Sequence, residues 1–132
     1  MTERPYGEGD ATFQAVGGEA GVRALVDHFY DIMQVDYPRI YSWHPKDISM
    51  SRDKLASFLC GWMGGPRVYA EKYGPISIPG VHAHLAVDID AKDEWLGCMA
   101  KALVKMEYPQ ALQDYLLTQL AVPANHIQKH ST

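Results

Sequence analysis

Apolar residues recur at intervals of three and four along most of this chain, a spacing that places them on one face of an α-helix. The pattern predicts a first long helix whose buried face carries Val22, Leu25, Val26, Phe29, Ile32 and Met33. A shorter helix is predicted before it, over Ala11 to Val16, and Gly17-Gly18 separates the two. The N-terminal part of the chain is therefore predicted to be helical.

Three further helices follow the same pattern. One runs from about Ser51 to Met63 and ends at Gly64-Gly65-Pro66, where proline stops the hydrogen-bond ladder. Another starts after Asp90, and the last begins at Pro109. The predicted inner face of the first of these helices carries Leu55, Phe58, Leu59, Trp62 and Met63. That of the second carries Trp95, Met99, Ala102, Leu103 and Met106, and that of the third carries Leu112, Tyr115, Leu116 and Leu120.

Two segments break the helical pattern. The stretch from Tyr37 to Pro45, which contains two prolines, is predicted to be a turn and includes Tyr41 and His44. The stretch from Arg67 to Asp90 begins with about one helical turn and then becomes irregular. Long irregular loops inside compact helical domains are usually functional. The His82-Ala83-His84 sequence in this loop is therefore the first candidate for a functional site.

Length and charge limit the classes of protein to consider. A chain of 132 residues fits one domain, with residues 1–16 as an extension plus short helix and 122–132 as a terminal tail. The net charge of -4 and the scattered basic residues argue against nucleic acid and anionic membranes as partners. No apolar stretch is long enough to span a bilayer. Two cysteines and no apolar leader predict reduced thiols and a cytoplasmic location.

The candidate side chains each allow more than one interpretation. His82 and His84 could be exposed loop residues. They could also bind zinc, but no further zinc ligands lie nearby in the sequence. One of them could instead be the axial ligand of a haem, whose porphyrin supplies the other four nitrogens. Tyr30 and Trp95 border predicted buried faces, where ordinary core packing with a satisfied polar tip is the simplest role. The chain has neither a G-x-S-x-G nor a phosphate-cradling glycine motif.

An ordered set of residues resembles the group II truncated haemoglobins. It consists of Phe29-Tyr30, Phe58-Leu59, Gly64-Gly65-Pro66-Arg67-Val68-Tyr69, His82 and Trp95-Leu96-Gly97-Cys98-Met99. The match extends from about Gly17 to Leu120. It implies an all-α truncated globin, a two-over-two helical sandwich around a haem b (iron protoporphyrin IX).

The resemblance also implies roles for individual residues. His82 would be the proximal iron ligand, and Tyr30 and Trp95 would donate hydrogen bonds to a ligand on the distal side. Ser51 would face the ligand entry path. The remaining contacts with the haem would come from Phe29, Leu55, Phe58, Leu59 and Met99.

Two positions depart from the family pattern. His44 stands where relatives typically carry Phe or Tyr, with Tyr41 close by, so that it could donate to a ligand or coordinate the iron. Val81 precedes His82 where relatives often carry an Arg that pairs a haem propionate. The sequence then leaves Arg67, Tyr69 and Lys72 as candidates for holding the propionates.

The resemblance implies a bacterial protein that binds or transports dioxygen and also takes carbon monoxide or nitric oxide. A redox enzyme is the alternative, using the same haem for nitric oxide detoxification or peroxidase chemistry with an unknown reductase. A third interpretation is a cofactor-free helical interaction module. We expect a monomer or weak dimer.

Overall fold

The structure is a computed structural model that describes residues 6–44, 46–74 and 89–130, with side chains described only for residues 90–122 of the last range. Helices are the regular elements of these residues, and no strand occurs among them, which confirms the all-α prediction. Every helix in the described ranges is too short or too polar to cross a membrane. The helices are α1 (Ala11–Ala15), α2 (Gly18–Asp36), α3 (Pro38–Tyr41), α4 (Ser49–Trp62), α5 (Val68–Tyr73), α6 (Ile89–Lys105) and α7 (Gln110–His130).

Helix α2 lies at the centre of the packing. It contacts α4 on one side and α6 on another, and α6 packs in turn against α7. Burial follows the predicted periodicity, except that Ile32 is half-buried. The buried apolar residues of α2 are Val22, Leu25, Val26, Phe29 and Met33. These four helices therefore share one core.

The buried face of α4 differs from the predicted one. Leu59 and Met63 are buried as expected, whereas Leu55, Phe58 and Trp62 are only half-buried. The fully buried positions of the helix also include the small residues Ala56, Ser57 and Cys60. Ala56 and Cys60 belong to the same core as the buried face of α2, against which α4 packs.

Prolines set two helix starts, and the last helix is longer than the sequence suggested. Pro38 opens the short helix α3 inside the predicted turn, because its fixed φ suits the first helical position. The carbonyl of Pro109 accepts hydrogen bonds from Leu112 and Gln113, so α7 begins one residue after this proline. Helix α7 continues to His130 and includes most of the expected tail.

The exit from α4 is shaped by its contact with the N-terminal segment. Gly64 has a φ of +92°, and a Cβ there would lie 2.0 Å from the carbonyl oxygen of Gly9. The amide of Phe13 donates to the carbonyl of Met63 at 3.1 Å. Glycine is required at position 64 because the backbone turns left-handed where another chain segment touches it.

Candidate functional site

Two of the predicted ligand donors share a neighbour in the core. Tyr30 belongs to α2 and Trp95 to α6, and these helices pack directly against each other. The ring centroid of Phe29 lies 5.1 Å from that of Tyr30 and 5.2 Å from that of Trp95, with both pairs edge to face. Aromatic pairs favour this geometry. The fold therefore brings Tyr30, Phe29 and Trp95 into one aromatic cluster.

Burial determines the protonation state of the Tyr30 phenol. The side chain is 5 % exposed, and its desolvation raises the pKa of Tyr30 far above the ordinary value. A buried phenol resists ionisation because its charged form loses hydration. Tyr30 is therefore a neutral hydroxyl that can donate a hydrogen bond throughout the physiological pH range.

His44 meets the aromatic cluster from the segment after α3. Its ring lies edge to face against Tyr30, with centroids 5.4 Å apart, and 6.3 Å from the ring of Tyr41. Its Nδ1 lies 3.0 Å from the carbonyl oxygen of Ile40 and 3.2 Å from that of Tyr41. Since a carbonyl only accepts, Nδ1 is the donor in these contacts. The two carbonyls thus hold the imidazole beside Tyr30, and its role as a donor to a ligand or as an iron ligand remains a prediction.

Ser51 and the apolar candidates for haem contact separate into two groups by exposure. Leu59 on α4 and Met99 on α6 are completely buried in the core. Ser51, Leu55 and Phe58, all on α4, are half-buried. The second group thus keeps surface that a bound apolar molecule could cover.

The propionate candidates lie on or beside α5. Arg67 directly precedes this helix and is exposed, and the ring of Tyr69 packs at 5.1 Å against that of Tyr73. The Nζ of Lys72 lies 3.0 Å from Oδ1 of Asp53 on α4. Tyr73 also donates to Asp53. Lys72 therefore already pairs with a carboxylate of the protein.

The predicted iron ligand lies outside the described residues. His82, its neighbour Val81 and His84 all fall within residues 75–88, and Pro45 falls in the other internal gap. The ligand role of His82 and the effect of Val81 on propionate binding remain predictions.

Sequence reasoning missed the contacts by which three polar residues connect one helix to another. Arg52 on α4 contacts the ring of Tyr30, Cys98 on α6 bonds to the backbone of Phe29, and Asp53 joins α4 to α5. The four-residue spacing of Asp27 and Asp31 was a usable signal, because it places two carboxylates on one helix face next to Tyr30. The cation that they bind could not be identified from that spacing.

Comparisons with known proteins define the class. Residues 11–129 match the family of bacterial-like globins. The chain is 27% identical over 118 residues to the group 2 truncated hemoglobin YjbI of Bacillus subtilis (strain 168), covering 89% of this chain and 88% of that protein. The structure is similar to the group II 2-on-2 hemoglobin of Agrobacterium tumefaciens, with a TM-score of 0.84, 31% identity and 96% of each chain covered.

The structure is also similar to the cold-adapted truncated hemoglobin of the Antarctic marine bacterium Pseudoalteromonas haloplanktis TAC125. The TM-score is 0.82 at 33% identity, and the match covers 88% of this chain and 95% of that one. The chain therefore belongs to the bacterial-like globin family. Its resemblance to the group II truncated haemoglobins and the two-over-two globin fold are confirmed. Family membership implies a haem cofactor and haem-based binding of small ligands such as dioxygen.

The described residues suit a haem. A porphyrin ring is largely apolar, and Leu55, Phe58 and Trp95 are large side chains that pack against the core while remaining half-buried. Sites for small molecules combine such apolar surface with a few convergent polar groups. Here the polar groups are the neutral phenol of Tyr30 and the indole N–H of Trp95, which share the contact with Phe29.

Proposed function

We propose that this protein binds and retains dioxygen at a haem b that is ligated by His82. The observation that carries the proposal is the aromatic cluster of Tyr30, Phe29 and Trp95. It places two hydrogen-bond donors on adjacent helices, and burial keeps one of them, the Tyr30 hydroxyl, protonated. Such a pair of donors suits a small ligand that carries negative charge.

When bound, a ferrous haem supplies an iron that takes up diatomic gases and passes negative charge onto dioxygen. Tyr30 and Trp95 then act as donors toward that charge. A hydrogen bond to a charged group contributes roughly 1.5–3 kcal/mol, about twice the value for neutral partners. Carbon monoxide gains less charge, so the two donors favour retention of dioxygen over carbon monoxide.

We infer supporting roles for the other residues. Ser51, with its short side chain, leaves the entry path open. Leu55, Phe58, Leu59 and Met99 supply apolar contacts for the porphyrin. Arg67 and Tyr69 are better candidates for the propionates than Lys72, because Lys72 already pairs with Asp53.

Two measurements on the purified protein test this function. A visible absorption spectrum must show the strong violet band of a haem protein, whereas a cofactor-free module would be colourless. Stopped-flow mixing must then show that dioxygen leaves the ferrous protein slowly. Rapid dioxygen release from a protein that holds haem would refute retention as the function.

One observation favours a second candidate function, which is peroxide reduction at the same haem. The imidazole of His44 packs edge to face against Tyr30, and imidazole is the side chain that most often transfers protons in catalysis. This chemistry consumes an added electron donor. Steady turnover with peroxide and a reductant, lost in His44→Ala while dioxygen retention persists, would establish it.

We also propose a cellular setting. Both cysteines, Cys60 and Cys98, are free and buried, which suits a reducing compartment such as the cytoplasm. We infer a single domain over residues 1–132, a monomer or weak dimer, and an electron donor of the reductase class that keeps the iron ferrous. Cell fractionation and analytical ultracentrifugation test location and oligomeric state.

A further inference from the structure

Arg52 on α4 is held between two carboxylates of α2. Its Nη1 lies 3.0 Å from Oδ1 of Asp27, and its Nη2 lies 2.8 Å from Oδ1 of Asp31. Nη1 also donates to the backbone carbonyl of Asp27 at 3.2 Å. We refer to Arg52, Asp27 and Asp31 as the arginine clamp. Because both terminal nitrogens of the planar guanidinium are held, the clamp has one well-defined orientation.

The arginine clamp lies over the ring of Tyr30. The guanidinium carbon of Arg52 is 5.6 Å from the centroid of that ring, a distance at which a cation is attracted to an aromatic face. Phe29 and His44 meet the same ring edge to face, at 5.1 Å and 5.4 Å. The ring of Tyr30 is thus in contact with Phe29 on its own helix, with His44 and with Arg52.

The arginine of the clamp is less exposed than its two carboxylate partners. The Arg52 side chain is 25% exposed, whereas Asp27 and Asp31 are 63% and 66% exposed. Exposed ion pairs contribute little to folding stability and are screened by salt. The clamp therefore contributes little to the stability of the fold. Its distinctive feature is that it holds Arg52 over the ring of Tyr30.

We propose that Arg52 is a positioning residue for Tyr30, and that the arginine clamp holds the phenol ring in the orientation in which its hydroxyl donates to a ligand. The clamp itself is a contact among described residues. Its consequence for dioxygen rests on the proposed function. The positive charge of Arg52 also favours the ionised form of the phenol and so acts to lower the pKa of Tyr30 against the larger effect of burial, which makes the hydroxyl a stronger donor.

The test compares two arginines that both join α4 to α2. Arg52→Met keeps the apolar stem but removes the guanidinium from Tyr30. Arg23→Met is the matched control, because Arg23 on α2 pairs with Asp53 on α4 at 3.2 Å. The first measurement is NMR of carbon-13-labelled tyrosine in the haem-loaded, carbon monoxide-bound protein, with the Tyr30 signal assigned through Tyr30→Phe. Arg52→Met should shift and broaden the Tyr30 ring signals, and Arg23→Met should leave them in place.

The second measurement is ligand release by stopped flow. Arg52→Met should speed dioxygen release by roughly two- to thirtyfold, the fold-change that corresponds to the usual strength of a cation–π contact, with much less effect on carbon monoxide. In a Tyr30→Phe background the same substitution should change neither rate. High salt should also speed dioxygen release from the wild-type protein and not from Arg52→Met, because salt weakens the two exposed ion pairs.

Unchanged Tyr30 ring signals in Arg52→Met would overturn the proposal, as would an equal effect on dioxygen release in the Tyr30→Phe background. If Tyr30→Phe alone leaves dioxygen retention intact while Arg52→Met still moves the Tyr30 signals, the donor role fails and the arginine clamp stands. Should Arg52→Met fail to fold, Arg52→Lys serves instead. It keeps the charge but cannot bridge two carboxylates in a planar fork, so the same shifts are expected.

Discussion

The thiol of Cys98 donates to the backbone carbonyl of Phe29 across 3.0 Å, and the two residues are 69 positions apart in the sequence. This bond joins α6 to α2 at the aromatic cluster, since Phe29 precedes Tyr30 and Cys98 lies one helical turn after Trp95. Burial raises the pKa of the Cys98 thiol to about 12, so the sulfur stays protonated and able to donate.

Removing this sulfur should weaken the contact between the two helices. We expect Cys98→Ala to lower the free energy of unfolding by about 1–2 kcal/mol, from a lost hydrogen bond and a small cavity. Urea unfolding followed by circular dichroism measures the change. Cys60→Ala is the matched control, because it removes the same atom from another buried position on α4. Equal losses in both variants would show that the bond to Phe29 adds nothing.

The two proposed donors should have unequal effects on the two gases. Tyr30→Phe and Trp95→Phe each remove one N–H or O–H group while keeping an aromatic ring against Phe29. A lost charge-assisted hydrogen bond of about 1.5–3 kcal/mol corresponds to roughly ten- to a hundredfold faster dioxygen release. Carbon monoxide release should change much less. Stopped-flow displacement measures both rates, and equal effects on the two gases would contradict the polar role.

The iron ligand can be tested by removing each loop histidine in turn. His82→Ala should abolish stable haem uptake and the violet absorption band, because one imidazole nitrogen provides the axial bond. His84→Ala lies two residues away and should keep both. Titration of the apoprotein with haemin, monitored by absorption, measures uptake. If His82→Ala bound haem like the wild type, the ligand would have to be another residue.

Asp53 should make stability depend on acid pH. It accepts hydrogen bonds from Tyr73 and Lys72 and pairs with Arg23, which together lower the pKa of Asp53 to about 2. The native state thus favours the carboxylate. The resulting stability is complete above the unfolded pKa near 4 and disappears as the pH falls through about 2.

Asp53→Asn removes that carboxylate and so tests the pH dependence. At neutral pH it should lower the free energy of unfolding by about 1 kcal/mol, a typical size for partly exposed ion pairs. The difference from wild type should shrink between pH 4 and pH 2. Urea midpoints measured across this range provide the comparison. Asp114→Asn is the control, since that exposed carboxyl accepts a hydrogen bond from Gln110 in its own helix. A difference that stayed constant with pH would contradict the assignment.

Periodicity predicted local structure more reliably than it predicted packing. Most helix bounds agree within a few residues, because Gly64 takes a left-handed φ at the exit of α4 and Pro109, which lacks an N–H, stands at the start of α7. Leu55 and Phe58 pack against the core as expected but are only half-buried, since an apolar stripe shows which face of a helix turns inward and not how much of each side chain its neighbours cover.

The sequence by itself determined an all-helical chain, the order of its helices and the ordered set of residues that identifies a truncated globin. Only the tertiary structure decided that Tyr30 and Trp95 share one aromatic neighbour, that Arg52 lies over Tyr30 and that Cys98 bonds to Phe29. The physical reason is that periodicity fixes the apolar face of each helix, whereas the partners of polar side chains depend on how whole helices cross.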